Sequence, residues 1–265
     1  MNVGLFLLSF LFSFSAAAQT VSDCGIKNHT TQHGEVLKYK IYYTLAGFYV
    51  GAGEVIFRNR LEQYQNKTVF HISSYGRTYS SYDWIYKVRD LYETYIDTAT
   101  FLPLKFTRDI HEAGDHFYHM ALFQYPQRRV QTTNGNYSFP ACTQDVLSAI
   151  YYARNLDYSR CKPGDKFPFP LFLDEQVYPV YIRYLGREKL STRFGEYQTI
   201  KFKPLLIDGT IFKGGEDMTV WVSDDENHIP VMVETPILVG KIRVYLESYQ
   251  QLRFPPKGIL RGGVQ

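Results

Sequence analysis

The sequence predicts a mainly β fold: a curved antiparallel sheet, a half-open β-barrel or β-roll, built from two related halves with one central amphipathic helix. Three observations predict it. Apolar and polar residues alternate with a period of two along most of the chain. A single segment, from Thr143 to Asp157, instead repeats its apolar residues at helical spacing. The same strand, turn and strand-entry pattern occurs on both sides of that segment, offset by about 130 residues.

Taken in order, the first strand sets Leu37, Tyr39, Ile41 and Tyr43 on one face and Lys38 and Lys40 on the other. Gly47, Gly51 and Gly53 interrupt what would be a very long strand, and glycine there marks a bulge or bend. Strands follow at 55–60, 68–74, 92–97, 104–110, 117–125 and 129–133, with a turn at Asn134-Gly135. The helix carries Val146, Leu147, Ile150 and Tyr151, of which Leu147, Ile150 and Tyr151 are expected to face the sheet interior. Thr143 suits its N-cap and Asp145 its first turn. The second block places strands at 167–173, 177–185, 197–203, 217–223, 229–234 and 238–248. Tyr92–Asp97 leading to Leu102-Pro103-Leu104 is matched by Met218–Ser223 leading to Ile229-Pro230-Val231. A recurrence of turn chemistry alone is the simpler account of such a match; its constant offset favours duplication.

The N-terminus is apolar from Leu5 to Phe14 and continues Ser15-Ala16-Ala17-Ala18-Gln19. That pattern is a secretory signal with cleavage after Ala18, although no Lys or Arg precedes the apolar run. A run this short does not span a membrane, which takes about 20 apolar residues as a helix. The expected organisation is a signal peptide at 1–18, an N-terminal extension at 19–33, a first β-half at 34–140, a linking helix at 141–160, a second β-half at 161–253 and a disordered tail at 254–265. The chain is expected in the periplasm. A net charge of +3 is too weak for the concentrated basic stripe of a nucleic-acid binder.

Three cysteines follow the signal: Cys24, Cys142 and Cys161. Export permits a disulfide. A helix of about 15 residues would hold Cys142 and Cys161 roughly 22 Å apart, beyond the ~7 Å that a bridge tolerates between Cα atoms. A Cys24–Cys142 disulfide is therefore favoured, with three unpaired thiols as the alternative.

No nucleophile elbow, HExxH zinc motif, P-loop or glycine-rich dinucleotide turn is present. His111, Glu112, Asp115, His116 and His119 cluster in sequence. His116 and His119 fall on opposite faces of a strand, so the group reads as a polar hairpin tip and no metal is assigned. Asp224-Asp225-Glu226-Asn227 reads as a turn and lacks the spacing of a calcium loop. Midway helix and polar tail argue against an outer-membrane barrel.

Two loops stand out, Tyr79–Tyr86 and Asp208–Gly215, at matching places in the two blocks. Tyr79, Tyr82, Trp84, Tyr86, Ile211 and Phe212 are the candidate ligand-binding residues, since ligand sites are mostly apolar concavities. Burial as plain core is the competing reading of these aromatics.

The stretch Cys142–Arg154 resembles the domain-of-unknown-function family 3108, exported proteins of Gram-negative bacteria. Tyr82-Asp83-Trp84 with Lys87–Asp90, Phe202-Lys203-Pro204, Gly214–Val222 and Pro236–Gly240 resemble it too, so the likeness covers nearly the whole mature chain. It implies export and a β-rich fold, and it supplies no activity, cofactor or catalytic residue. The architecture is similar to that of periplasmic lipoprotein carriers, a likeness of fold alone. The expected function is a non-catalytic binding or carrier module for a lipid or other apolar or amphipathic envelope molecule. The alternative is an envelope scaffold or protein-interaction domain with a filled core.

Overall fold

The computed structural model describes Cys24 and residues 26–45, 48–207, 214–237 and 240–260. The signal segment, Gly47 and the candidate residues Ile211 and Phe212 lie outside the described residues.

The first half is a meander of β1 (Val36–Leu45), β2 (Phe48–Tyr64), β3 (Lys67–Thr78), β4 (Arg89–Asp97), β5 (Pro103–Glu112), β6 (Asp115–Gln124), β7 (Arg129–Thr132) and β8 (Asn136–Ser138). Helix α1 (Val146–Arg154) follows. The second half is β9 (Lys166–Leu173), β10 (Gln176–Ser191), β11 (Gly195–Pro204), β12 (Thr219–Ser223), β13 (Pro230–Pro236) and β14 (Lys241–Gln250), with a short β15 (Gly258–Leu260). All paired strands are antiparallel, in the order β8-β7-β6-β5-β4-β3-β2-β1-β14-β13-β12-β11-β10-β9, with β15 added against β11. The sheet is not closed into a barrel. Strands β9–β14 follow β1–β6 in the same order, each starting about 130 residues after its counterpart. No helix of the described residues is long and apolar enough to cross a membrane.

The glycine-rich segment resolves into a hairpin with a bulge. Ile41 faces Gly53 while Tyr42 faces Gly51, so one extra residue of β2 is accommodated there. A Cβ on Gly53 would lie 2.3 Å from the Arg77 carbonyl oxygen, so this close strand approach requires glycine.

The interior forms around α1. One apolar cluster joins Leu147 and Tyr151 to Ile72, Ile96, Phe106, Phe123 and Phe172. A second joins Ala153 to Tyr158, Phe169, Ile182, Ile200 and Phe202. Leu147 and Tyr151 are buried, and Ile150 packs partly buried against the first cluster. The helix begins later than expected, at Val146. Gln144 is held extended by exchanging backbone hydrogen bonds with β9, donating to Pro170 O at 2.9 Å and accepting from Phe172 N at 2.9 Å. Asp145 is the N-cap instead of Thr143: its carboxylate accepts from Leu147 N at 2.8 Å and Ser148 N at 2.7 Å, while Ser148 Oγ accepts from Asp145 N at 2.9 Å.

The C-terminal end of α1 is tied to the N-terminal segment. Arg154 Nη1 and Nη2 lie 2.6 and 2.8 Å from the two carboxylate oxygens of Glu35, and Arg154 Nε donates to Asn227 O at 3.1 Å. Both side chains are fully buried. Burial alone would lower the arginine pKa, but the facing Glu35 carboxylate raises it. Cys24 and Cys142 are disulfide-bonded with Cα atoms 5.5 Å apart, anchoring the same segment ahead of the helix.

The tail from Phe254, expected to be disordered, is held as far as Leu260. Asn227 Nδ2 donates to Phe254 O at 2.9 Å, Lys257 N donates to Asp225 Oδ2 at 3.0 Å, and β15 pairs with Gly195–Tyr197. Proline and glycine content signals an irregular chain but not the partners that fix it. A further apolar cluster, unforeseen in the sequence, lies on the outer face: Tyr42, Trp221, Met232 and Tyr245, covered by Leu190 and Phe194 where β10 turns into β11.

Candidate functional site

Antiparallel order fixes which connections share a rim. Strands β1, β3, β5, β7, β9, β11 and β13 all run in one direction, so the chain leaves their C-terminal ends on the same side of the sheet. That rim carries the segment 79–88, the β5–β6 hairpin, the β9–β10 turn and the connection from β11 to β12. The two loops singled out in the sequence thus join the third and fourth strands of their respective halves at one rim.

Segment 79–88 is held by a dense polar frame. Tyr79 N donates to Ala52 O at 3.0 Å, and Tyr82 N donates to Tyr79 O at 2.8 Å through a 3₁₀ turn at Ser80–Tyr82. Arg89 Nη1 and Nη2 contact the two Asp83 oxygens at 3.1 and 2.6 Å, and Thr78 Oγ1 donates to the same carboxylate at 2.7 Å. The Arg89 hydrogen bond is the main cause that lowers the Asp83 pKa. Trp84 Nε1 donates to Ser81 O at 2.9 Å. Tyr86 hydroxyl donates to Glu112 Oε2 at 2.9 Å, and Ala113 N to Lys87 O at 2.9 Å, docking the segment on the β5–β6 hairpin.

This frame places apolar side chains in solvent. Trp84 is 82% exposed, Ile85 62% and Tyr86 49%. Tyr79 and Tyr82, in the same segment, are half-buried. Rings with satisfied polar atoms and exposed apolar surface gain by contact with another apolar surface.

A polar group missed by the sequence reading lies on the inner face near the same rim. Arg108 pairs with Asp174, and His119 Nε2 lies 2.9 Å from Glu175 Oε1, which also accepts from Asn134 Nδ2 at 2.9 Å. Asp174 and Glu175 are the β9–β10 turn, so this contact draws the first two strands of the second half, at the far edge of the sheet, onto the first half. Phe117 extends beside them, its ring 5.2 Å from the Arg108 guanidinium and stacked on His119. Arg108 Nε and His119 Nδ1 are buried and find no hydrogen-bond partner among the described residues. Asp90, close by, accepts from His111 N at 3.1 Å. Burial, with the neighbouring Glu112, pushes its pKa up to about 6. Alternation did signal that Arg108 and His119 point inward, but their acidic partners come from a turn more than 50 residues away.

On the outer face of the β5–β6 hairpin, Asp109, His111 and His116 come together. His119 points to the other face, as strand alternation requires.

The model of the family described as "Protein of unknown function (DUF3108)" matches residues 38–247. No curated protein matches the chain. Among solved structures, the chain is similar to a β-barrel-like protein of the domain of unknown function DUF1849 from Brucella abortus. The TM-score is 0.57 at 8% identity, over 85% of this chain and 99% of that one. It is also similar to a protein with a YmcC-like fold from Bacteroides fragilis, with a TM-score of 0.38 at 12% identity, over 85% of this chain and 100% of that one. The first likeness is one of fold.

Proposed function

The chain belongs to the DUF3108 family, and from that premise we propose that it is an exported, periplasmic, non-catalytic binding or carrier module for an apolar or amphipathic envelope ligand such as a lipid. Export rests on the signal sequence at 1–18. The binding surface is the rim, centred on Tyr79, Tyr82, Trp84 and Tyr86, with Ile211 and Phe212 on the corresponding connection of the second half.

One observation carries this reading: Trp84, Ile85 and Tyr86 form an exposed apolar run whose backbone and polar atoms are already fixed by the protein. A platform of that kind loses little conformational freedom on binding. The interior is a less suitable ligand site, because α1 and the aromatic clusters occupy it. That same packing supports a second reading, in which the rim docks on an envelope protein and the core is solid throughout.

The test uses Trp84 as its own reporter. The protein contains two tryptophans, and Trp221 is buried, so a Trp221→Phe variant leaves only the exposed indole. Vesicles made from an envelope lipid extract are expected to shift its emission to the blue. Native mass spectrometry of protein taken from its own periplasm is expected to show a lipid adduct that Trp84→Ala loses. An unmoved emission together with consistently empty protein sinks the lipid reading and leaves the protein-docking one.

A further inference from the structure

We propose that Asp109, His111 and His116 form a surface site for a divalent transition-metal cation of the zinc or copper class. The hairpin geometry builds it. Strands β5 and β6 are joined by Ala113 and Gly114 alone, both in the left-handed region with φ of 51° and 100°. In such a two-residue hairpin Glu112 and Asp115 are the closing hydrogen-bonded pair. The next pair, His111 opposite His116, is then the non-hydrogen-bonded kind in which side chains approach most closely. Their rings stack with centroids 4.1 Å apart and planes 11° from parallel. Asp109 lies two residues before His111, on the same face of the same strand.

The two imidazoles converge on one carboxylate oxygen. Asp109 Oδ1 is 3.0 Å from His111 Nε2 and 2.8 Å from His116 Nε2. All three ligand atoms lie within 4.8 Å of one another. Metal–ligand bonds of about 2.0–2.2 Å at tetrahedral angles separate neighbouring ligand atoms by about 3.3 Å. The two Asp109–imidazole separations are within about half an ångström of that spacing, and the stacked rings must swing out of parallel for both Nε2 lone pairs to point at one cation. Binding requires both rings to carry their proton on Nδ1, so that each Nε2 lone pair faces the metal. The two hydrogen bonds to Asp109 are then exchanged for coordination bonds. Two imidazoles and one carboxylate select a borderline cation over calcium or magnesium, which prefer oxygen-only shells. Three protein ligands leave further coordination positions to water.

The site is distinct from the rim platform in chemistry and in the residues that form it. The two touch through the β5–β6 tip, where Tyr86 bonds Glu112 and Lys87 O accepts from Ala113 N. A cation clamping both strands would stiffen the tip on which the aromatic segment rests.

Calorimetric titration of the full exported chain with Zn²⁺ tests the proposal, with Cu²⁺ electron paramagnetic resonance as a second readout. One equivalent is expected to bind, and His111→Ala and His116→Ala are each expected to weaken it at least about tenfold. The Cu²⁺ spectrum is expected to report two imidazole nitrogens and to lose them in the double variant. All three side chains are substantially exposed, so the unfolding midpoint of the variants without metal checks that the fold persists. A chain that takes up no saturable equivalent overturns the proposal, and so does a double variant that binds Zn²⁺ as tightly as the parent.

Discussion

Arg154 and Arg108 are both buried, each pairs with an acid from a distant part of the chain, and their surroundings differ in kind. Around Arg154 the network is closed. Its guanidinium meets both oxygens of Glu35, the carbonyl of Asn227 and the ring of Tyr151, with no solvent reaching either charge. Around Arg108 the network is open. Asp174 is largely exposed, and the arginine Nε and the neighbouring His119 Nδ1 have no partner among the described residues. A closed buried network tolerates no missing member, because whichever charge remains stays desolvated. An open one at a rim can lose a member and let water replace it. The first is therefore architectural, fastening the N-terminal segment to the helix. The second leaves donors to spare on the side of the sheet where the aromatic segment stands.

The contrast breaks most readily at Arg154. Arg154→Met strands the Glu35 carboxylate in the interior and is expected to cost about 3–5 kcal/mol in denaturant unfolding. The double variant Glu35→Leu with Arg154→Met is expected to recover much of that loss. A single-variant loss under about 1 kcal/mol would falsify the closed-network account.

Asp145 supplies an intermediate effect and a pH signature. Its carboxylate is buried, caps α1 and accepts from Thr94 Oγ1 at 2.6 Å. Burial raises its pKa from 3.8 to about 6, against the opposing hydrogen bonds from Thr94, Ser148 and Leu147. Between those values the folded state keeps a proton that the unfolded chain has released. The stabilising contribution is thus complete below pH 3.8 and is lost as pH rises through 6. Asp145→Asn keeps the cap and does not titrate. Its stability relative to the parent is expected to improve between pH 4 and pH 7 by roughly 1–3 kcal/mol. Asp145→Ala is expected to lose about 1–2 kcal/mol through the cap. A parent-to-Asn difference that stays flat across this range removes the pH argument.

The smallest effect is expected at the open network. Arg108→Leu leaves Asp174 solvated, and thermal melts are expected to register about 1 kcal/mol or less. A loss as large as that at Arg154 would erase the distinction between the two arginines.

Much of the architecture was legible because it rests on local period. The alternation in β1 and the helical face of Leu147 and Tyr151 follow from side-chain direction, and the bulge between Gly51 and Gly53 from the glycines themselves. The half-repeat was legible from Pro103 and Pro230 at strand entries. What escaped depends on pairing across the chain. Tyr42 sits on the face that Lys38 and Lys40 mark as polar, yet it is buried, because the β10–β11 hairpin folds over that face. His116 and His119 fall on opposite faces of one strand, whereas His111 and His116 become neighbours only across the hairpin. Trp84 was legible as unusual, but whether an aromatic segment fills a core or faces water depends on contacts such as Asp83 with Arg89.

The pairing of β1 with β14 has a kinetic consequence. The first long strand of the chain shares its ladder with the last, so Val36 bonds opposite Gln250 at the middle of the sheet. A polypeptide delivered from its N-terminus must hold one edge of that strand bare until almost all of the remainder has arrived. Contacts this distant in sequence slow folding and prolong the exposure of an edge. Lys38 and Lys40 sit on that edge and meet Glu247 only on completion. Until then their ammonium groups discourage a stranger's strand from docking there.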